Sequence, residues 1–323
     1  MLGTHVPDDD GGRPMNDAPP TWYTAAQIAA RIPPERARRL VEQVLLAGFD
    51  PAGDPERVST PAGAGHLLLM PSTVGGWTGV KIASVAPGNP AQGLPRIQAV
   101  YVLMDARTLT PRALLEGAAL TTLRTPAVSA VAADALAPAG AAHLVVFGTG
   151  PQAVGHVHAF AVVRELTRVT VVGRSPQKVE AVLAELADLG PELTAGSAED
   201  VAHADIVVCA TSAAAPLFDG SLVRDGACVV AMGSHETDRR ELDPGLMGRS
   251  LVVVEDVGTA LREAGDVVLA VEEGALAVED LVPLRDVVTG AVARRDVAPN
   301  VFKGVGMSWQ DLAVAAGLVE PQA

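Results

Sequence analysis

"HLVVFGTGPQAVGHVHAF", residues 143–160, is the stretch on which the fold turns. Leu144 to Phe147 are four consecutive apolar residues, and such a run reads as a strand buried on both faces. The pattern Gly148-x-Gly150-x-x-Ala153 follows, and then a stretch with helical spacing. Strand, glycine turn and helix in that order are the context in which this pattern binds a dinucleotide. Gly148 permits the tight turn, Gly150 lets backbone N–H groups approach a pyrophosphate, and Ala153 lets the helix pack close to the strand. The helix N-terminus adds partial positive charge. An ordinary bend between two packed elements can carry the same glycines, so the surrounding sequence has to arbitrate.

Downstream, "VTVVG" (169–173), "IVVCAT" (206–211), "ACVVAM" (227–232) and "LVVVE" (251–255) repeat the short Val-rich run. A helix and a weaker strand around Leu193 fall between them. Strands of this kind alternating with helices predict a parallel α/β sheet, a Rossmann dinucleotide-binding domain. "NVFKGVG" (300–306) and "SWQDLAVAAGL" (308–318) predict a last strand, a turn and a closing helix.

Upstream the rhythm differs. Thr24 and Gln27 have capping-box spacing, and Pro33 and Pro34 separate that short helix from a second one whose first turn suits Pro34. "HLLLMPS" (66–72), "GVKIASV" (79–85) and "QAVYVLMD" (98–105) predict strands, giving an α+β first domain. A helical stretch is expected from Pro111 to about Ala137. The residue before a proline avoids the α region, so a break is expected at Thr125, with Thr125 capping a new helix that starts at Pro126. That would set Arg124 just before a positively polarised helix N-terminus.

Composition bounds the rest. A chain of 323 residues predicts two domains. The first twenty, "MLGTHVPDDDGGRPMNDAPP", are acidic and rich in Gly and Pro, the signature of a disordered tail rather than a secretory signal. No apolar run is long enough to span a bilayer, so no membrane partner is expected. A net charge of −14 argues against nucleic acid. Cys209 and Cys228 sit in apolar runs with no His or acidic cluster at ligand spacing. They predict two buried thiols in a reducing cytoplasm and no metal site.

The second strand of the dinucleotide unit ends in Gly173, Arg174 and Ser175, where an NAD site usually has Asp or Glu for the ribose hydroxyls. A guanidinium there can pair with a 2′-phosphate, so NADP is favoured, with NAD possible. A solvated loop residue is the alternative for Arg174.

Several blocks together resemble the ornithine cyclodeaminase/mu-crystallin family. They are "GVKIASVAPGNPAQGLPRIQA" (79–99), "ALTTLRTPAVSAVAA" (119–133), "FGTGPQA" (147–153), "ADIVVCAT" (204–211), "GSHETDRRELD" (233–243) and "VFKGVGMSWQDLA" (301–313). The resemblance implies a homodimer of two-domain subunits. Residues 21–125 with 305–323 would bind substrate and dimerise, and residues 126–304 would form the Rossmann domain. It implies hydride transfer at the α-carbon of an amino acid or its imine. Arg57, Lys81 and Arg124 would grip the substrate carboxylate. Thr125, Thr149, Pro151, Gln152, Ala210, Thr211, Met232, Gly233, Lys303 and Gly304 would join the glycine turn and Arg174 around the cofactor.

The bare residues agree in part. A lysine inside an apolar strand is costly unless it is paired or used, and Lys81 is such a lysine. Arg57, following Glu56, could equally be solvated, and Arg124 could be a structural ion pair. Lys303 could approach phosphate or be solvated. His235 departs from the family, where cyclodeaminases carry an Asp that shuttles protons; Arg96 and Arg239 depart as well. Those departures, with Arg174, favour an NADPH-dependent reductase of a cyclic imine carboxylate, with Lys81 as first proton donor and His235 as second. An ornithine cyclodeaminase, an amino-acid dehydrogenase and a crystallin-like NADPH-binding protein remain the alternatives.

Overall fold

The computed structural model describes residues 19–319. Of the expected disordered tail, residues 1–18 lie outside them. The chain begins with β1 (Thr21–Tyr23), α1 (Ala25–Arg31) and α2 (Pro34–Leu46). Thr24 caps α1 in a full capping box with Gln27, and Pro34 opens α2. Then come β2 (Val58–Ala62), β3 (Gly65–Val74), β4 (Trp77–Val85), β5 (Ile97–Asp105) and β6 (Pro111–Glu116). These six strands form one sheet in the order β1-β6-β5-β4-β3-β2, antiparallel except where β1 joins β6.

Strand alternation sorts this sheet into two faces. Met70, Lys81, Tyr101, Leu115 and Tyr23 form one row across five strands, and all are buried. The opposite face carries Pro71, Val80, Val102, Leu114 and Trp22 in one row and Val58, Leu69, Ile82 and Val100 in the next. None of these is buried, and Trp22 and Val58 are exposed.

The stretch from Pro111 is therefore not helical at its start. Ala113 and Leu115 are buried and Leu114 is not, a period-two pattern fixed by pairing with β5 and β1. The helix α3 (Gly117–Leu136) begins after it, capped by the Glu116 carboxylate on the N–H groups of Ala118 and Ala119. It also runs unbroken through Pro126, so Thr125 is neither a break nor a cap, and Arg124 is not at a helix N-terminus. Packing decides this: the proline ring lies against Gly155 of the next helix, where even a methyl group would meet it at 2.9 Å. Buried contact on both sides outweighs the lost hydrogen bond.

The second sheet is built from β7 (His143–Phe147), α4 (Pro151–Phe160), β8 (Arg168–Val172), α5 (Pro176–Glu185), β9 (Glu192–Ala195), β10 (Ile206–Cys209) and β11 (Cys228–Ala231). It continues with α6 (Pro244–Arg249), β12 (Leu251–Val254), α7 (Val257–Glu263), α8 (Gly265–Glu272), β13 (Leu281–Pro283), α9 (Leu284–Val288) and β14 (Asn300–Lys303). All eight strands are parallel, in the order β13-β12-β14-β11-β10-β7-β8-β9. Its central strands are wholly buried, with Cys209 and Cys228 among them as free thiols. The closing helix α10 (Ser308–Val319) returns to the first sheet and packs on β3, β4, α2 and α3. Through it, residues 308–319 reach Lys81.

Candidate active site

In a parallel sheet, ligands bind beyond the strand C-termini where the order reverses. Here β7 leads outward to β8 and β9 on one side and meets β10 on the other. The glycine turn lies at that point. Gly148 has φ +125°, and a Cβ there would stand 2.5 Å from the Ala210 carbonyl oxygen. Gly150 is exposed, with nothing near its absent side chain, and it caps α4 without any side-chain hydrogen bond. Thr149, Pro151 and Gln152 line the same open turn, and Ala153 is buried against the strand. Gly173 packs on Thr149, which brings Arg174 and Ser175 to the rim. Ser175 caps α5, and Arg174 is exposed with no partner among the described residues. An open turn, free helix N–H groups and an unpaired guanidinium beside them fit a phosphorylated dinucleotide.

The loops after β10 and β11 are fastened together from below. Glu241, fully buried, accepts Thr211 N and Oγ1 at 2.8 and 2.7 Å and Gly233 N at 2.7 Å. Burial pushes its carboxyl up, against the pull of Lys303. Asp266 accepts the N–H groups of Glu241 and Leu242 and pairs with Lys303 Nζ at 2.9 Å. Lys303 Nζ also donates to the Ser234 carbonyl at 2.8 Å. It is fully buried, so its ammonium is neither solvated nor turned toward a phosphate: desolvating it requires these two partners. Gly304 lies against Met232, where a Cβ would meet the sulfur at 2.7 Å.

The first sheet supplies the cations. Lys81 Nζ donates to Asp311 Oδ2 at 2.7 Å and to Thr121 Oγ1 at 3.1 Å. Arg124, midway along α3, places Nε 3.4 Å from Asp311 Oδ1 and donates from Nη1 to Gln310 Oε1 at 3.1 Å. Gln310 in turn donates to Glu255, which also accepts the N–H groups of Val305 and Gly306. Gly306, at φ +79°, lies so close to the Arg124 guanidinium that a Cβ would stand 2.1 Å from it. The 304–306 turn is thus pressed onto the arginine. Arg57 is not simply solvated: it pairs with Glu263 at the end of α7, while Arg262 pairs with Glu56.

Burial pushes the Lys81 ammonium down to about 8; Asp311 opposes this and Arg124 adds to it. At His235 the surrounding protein first, then Lys303, Arg57, Arg124 and Lys81, push the imidazole down to about 3. His235 is also open to solvent, which offsets part of that burial. Asp54, hydrogen-bonded to Ser72 and Trp309 N, is raised to about 6 by burial. Thr125 is buried inside α3, its carbonyl accepting from Ser129 Oγ. Arg96 is exposed in its loop, and Arg239 pairs with Glu236.

Asp311, Gln310, Glu255, Glu241, Asp266 and Glu263 belong to this assembly without having stood out in the sequence. Asp311 had a signal, an acid inside the apolar helix "SWQDLAVAAGL". Among the described residues no group of three His, Cys, Asp or Glu is arranged to hold a metal.

The family model described as "Ornithine cyclodeaminase/mu-crystallin family" matches residues 47–322. A Delta(1)-pyrroline-2-carboxylate reductase from Colwellia psychrerythraea is 35% identical over 262 residues, covering 79% of this chain and 83% of that one. The structure of Thermococcus litoralis Delta(1)-pyrroline-2-carboxylate reductase in complex with NADH and L-proline superposes with a TM-score of 0.86 at 28% identity, covering 92% of this chain and 96% of that one. An archaeal alanine dehydrogenase dimer with bound NAD also gives 0.86, at 26% identity over 93% and 94% of the two chains.

Proposed function

The chain belongs to the ornithine cyclodeaminase/mu-crystallin family, and from that premise we propose that it reduces a cyclic imine carboxylate, such as pyrroline- or piperideine-2-carboxylate, with NADPH. It is an NAD(P)-dependent oxidoreductase acting at the α-carbon of an amino acid or imine carboxylate. The observation that carries the finer reading is the convergence of Lys81 and Arg124 on Asp311 beneath the turn 304–306.

Thr149, Gly150, Pro151, Gln152 and Ala153 would receive the pyrophosphate; Gly173, Arg174 and Ser175 the 2′-phosphate. Ala210, Thr211, Met232, Gly233 and Gly304 would line the nicotinamide side, with Thr125 and Lys303 supporting it from beneath. When bound, the nicotinamide supplies the hydride. Arg124, Arg57 and Lys81 hold the carboxylate and fix the α-carbon in place. Lys81 gives its proton to the imine nitrogen. An ammonium brought down to about 8 still carries its proton at neutral pH yet releases it readily. His235, neutral at that pH, has no proton of this kind to give, so it serves as a hydrogen-bonding wall.

We further assign residues 21–125 with 305–323, of which 320–323 lie outside the described residues, to the substrate and dimerisation unit and 126–304 to the dinucleotide unit. The homodimer is supported by the apolar outer face of the six-stranded sheet, since an antiparallel sheet facing water is polar on that side. Two free buried thiols support a reducing, cytoplasmic setting.

A panel of cyclic imine carboxylates assayed with NADPH and NADH side by side tests the reading, NADPH consumption being expected. Lys81→Ala should lower turnover by at least about a hundredfold while leaving NADPH affinity within twofold. In the native enzyme the reductive rate should fall as pH rises through about 8, because the group must be protonated to act. Proline formed from ornithine without net change in NADPH would reject the reductase, and an undiminished Lys81→Ala variant would reject the proton donor.

A further inference from the structure

In the crevice that would take the substrate carboxylate, each cation already faces an acid of the chain itself. Lys81, Arg124 and Arg57 bring three positive charges. Asp311 faces the first two, Glu263 faces Arg57, and the charge of Glu255 also acts on Arg57. An incoming carboxylate adds a further negative charge, in a place where unpaired charge is costly. One of the three acids has to give way.

Two of them are fixed. Asp311 is fully buried between two cations. Glu255 is 2% exposed and accepts from Val305 N, Gly306 N and Gln310 Nε2. Glu263 differs on both counts. Its side chain is 21% exposed, it stands on the last residue of α7, and Arg57 is its one side-chain partner among the described residues. Turning outward costs it a single ion pair, with water waiting to solvate it. Arg57, by contrast, stays charged: burial lowers it only to about 10.

We propose that Glu263 competes with the substrate carboxylate for the Arg57 guanidinium, and that binding exchanges one carboxylate for the other. Glu263 then sets substrate affinity without touching the reacting atoms. The proposal rests on the assignment of Arg57 to the substrate carboxylate, so its test carries an arm for each.

Michaelis constants for pyrroline-2-carboxylate with saturating NADPH, and dissociation constants for pyrrole-2-carboxylate by calorimetry, would be measured on three variants. Glu263→Gln replaces the competing charge by a neutral amide and should lower both constants about tenfold. Glu56→Gln removes the same charge from the neighbouring pair with Arg262, where the two side chains are 69% and 43% exposed, and should change them less than twofold. Arg57→Met should raise them at least tenfold. Constants that stay level or rise in Glu263→Gln overturn the competition while leaving Arg57 in place. Equal falls in Glu263→Gln and Glu56→Gln also overturn it, reducing the effect to general surface charge. An Arg57→Met variant with unchanged constants removes the assignment of Arg57, and the competition with it.

Discussion

Each of the two sheets carries a buried lysine on an inner strand, and the two are held in opposite ways. Lys303 on β14 has an acid of its own. Asp266 is fully buried, is fixed by the N–H groups of Glu241 and Leu242, and meets no second cation among the described residues. Lys81 on β4 shares Asp311 with Arg124, so one carboxylate has to serve two cations. The surroundings differ in the same sense. The sheet around Lys303 is buried on both faces, whereas the sheet around Lys81 has one covered face and one apolar face without cover. An acid kept for one lysine makes a strut. Burial, with an acid that has to be divided between two cations, leaves a lysine whose proton is easier to remove.

The sharpest way to break that comparison is to delete both ammonium groups in turn. Lys303→Met leaves Asp266 buried with no counter-charge and should cost about 3–5 kcal/mol. Lys81→Met leaves Asp311 with Arg124 still beside it and should cost about half as much. Urea unfolding of the two variants checks the order; equal losses would mean that Arg124 does not share Asp311 in any energetic sense. The contrast between faces is tested by Val102→Asp, which puts a charge in the middle of the uncovered row without entering the core. Dissociation of the proposed dimer should become at least about a hundredfold easier, roughly 2.7 kcal/mol, with the far-ultraviolet spectrum retained. Sedimentation of a monomer in the native protein would refute the dimer outright.

The same contrast explains what could be read from residues alone. Strands β7, β10, β11 and β12 lie inside a sheet covered on both faces, so they appear as short unbroken runs whose Val content and flanking turns mark them as strands. In the other sheet β6 was hidden, because "PRALLE" has helix-forming residues and its strand character comes only from its neighbours. Pro126 misled for a related reason: the local rule against an α conformation before proline lost to the packing of Gly155 on the ring. Lys81 was visible as a charge among apolar residues. Its partner was not, since Asp311 lies 230 positions away and only the return of α10 brings the two together. Glu263, an ordinary acid at a helix end, carried no signal at all.

The smallest expected effect concerns the rim of the parallel sheet. Arg174 is exposed with no partner among the described residues, whereas Lys303 on β14 is sealed below. An exposed guanidinium paired with a 2′-phosphate is screened by salt and water, so its contribution should be near the low end for charged hydrogen bonds, about 1.5 kcal/mol. Arg174→Ala should therefore raise the Michaelis constant for NADPH about tenfold and leave that for NADH within twofold. Raising the ionic strength should weaken NADPH binding by the native enzyme and hardly affect the variant, because on the proposed reading only the native enzyme has an exposed charge pair to screen. If both cofactors lose affinity equally, Arg174 is reading the pyrophosphate that they share, and any preference for NADPH must be sought among the backbone N–H groups of the turn instead.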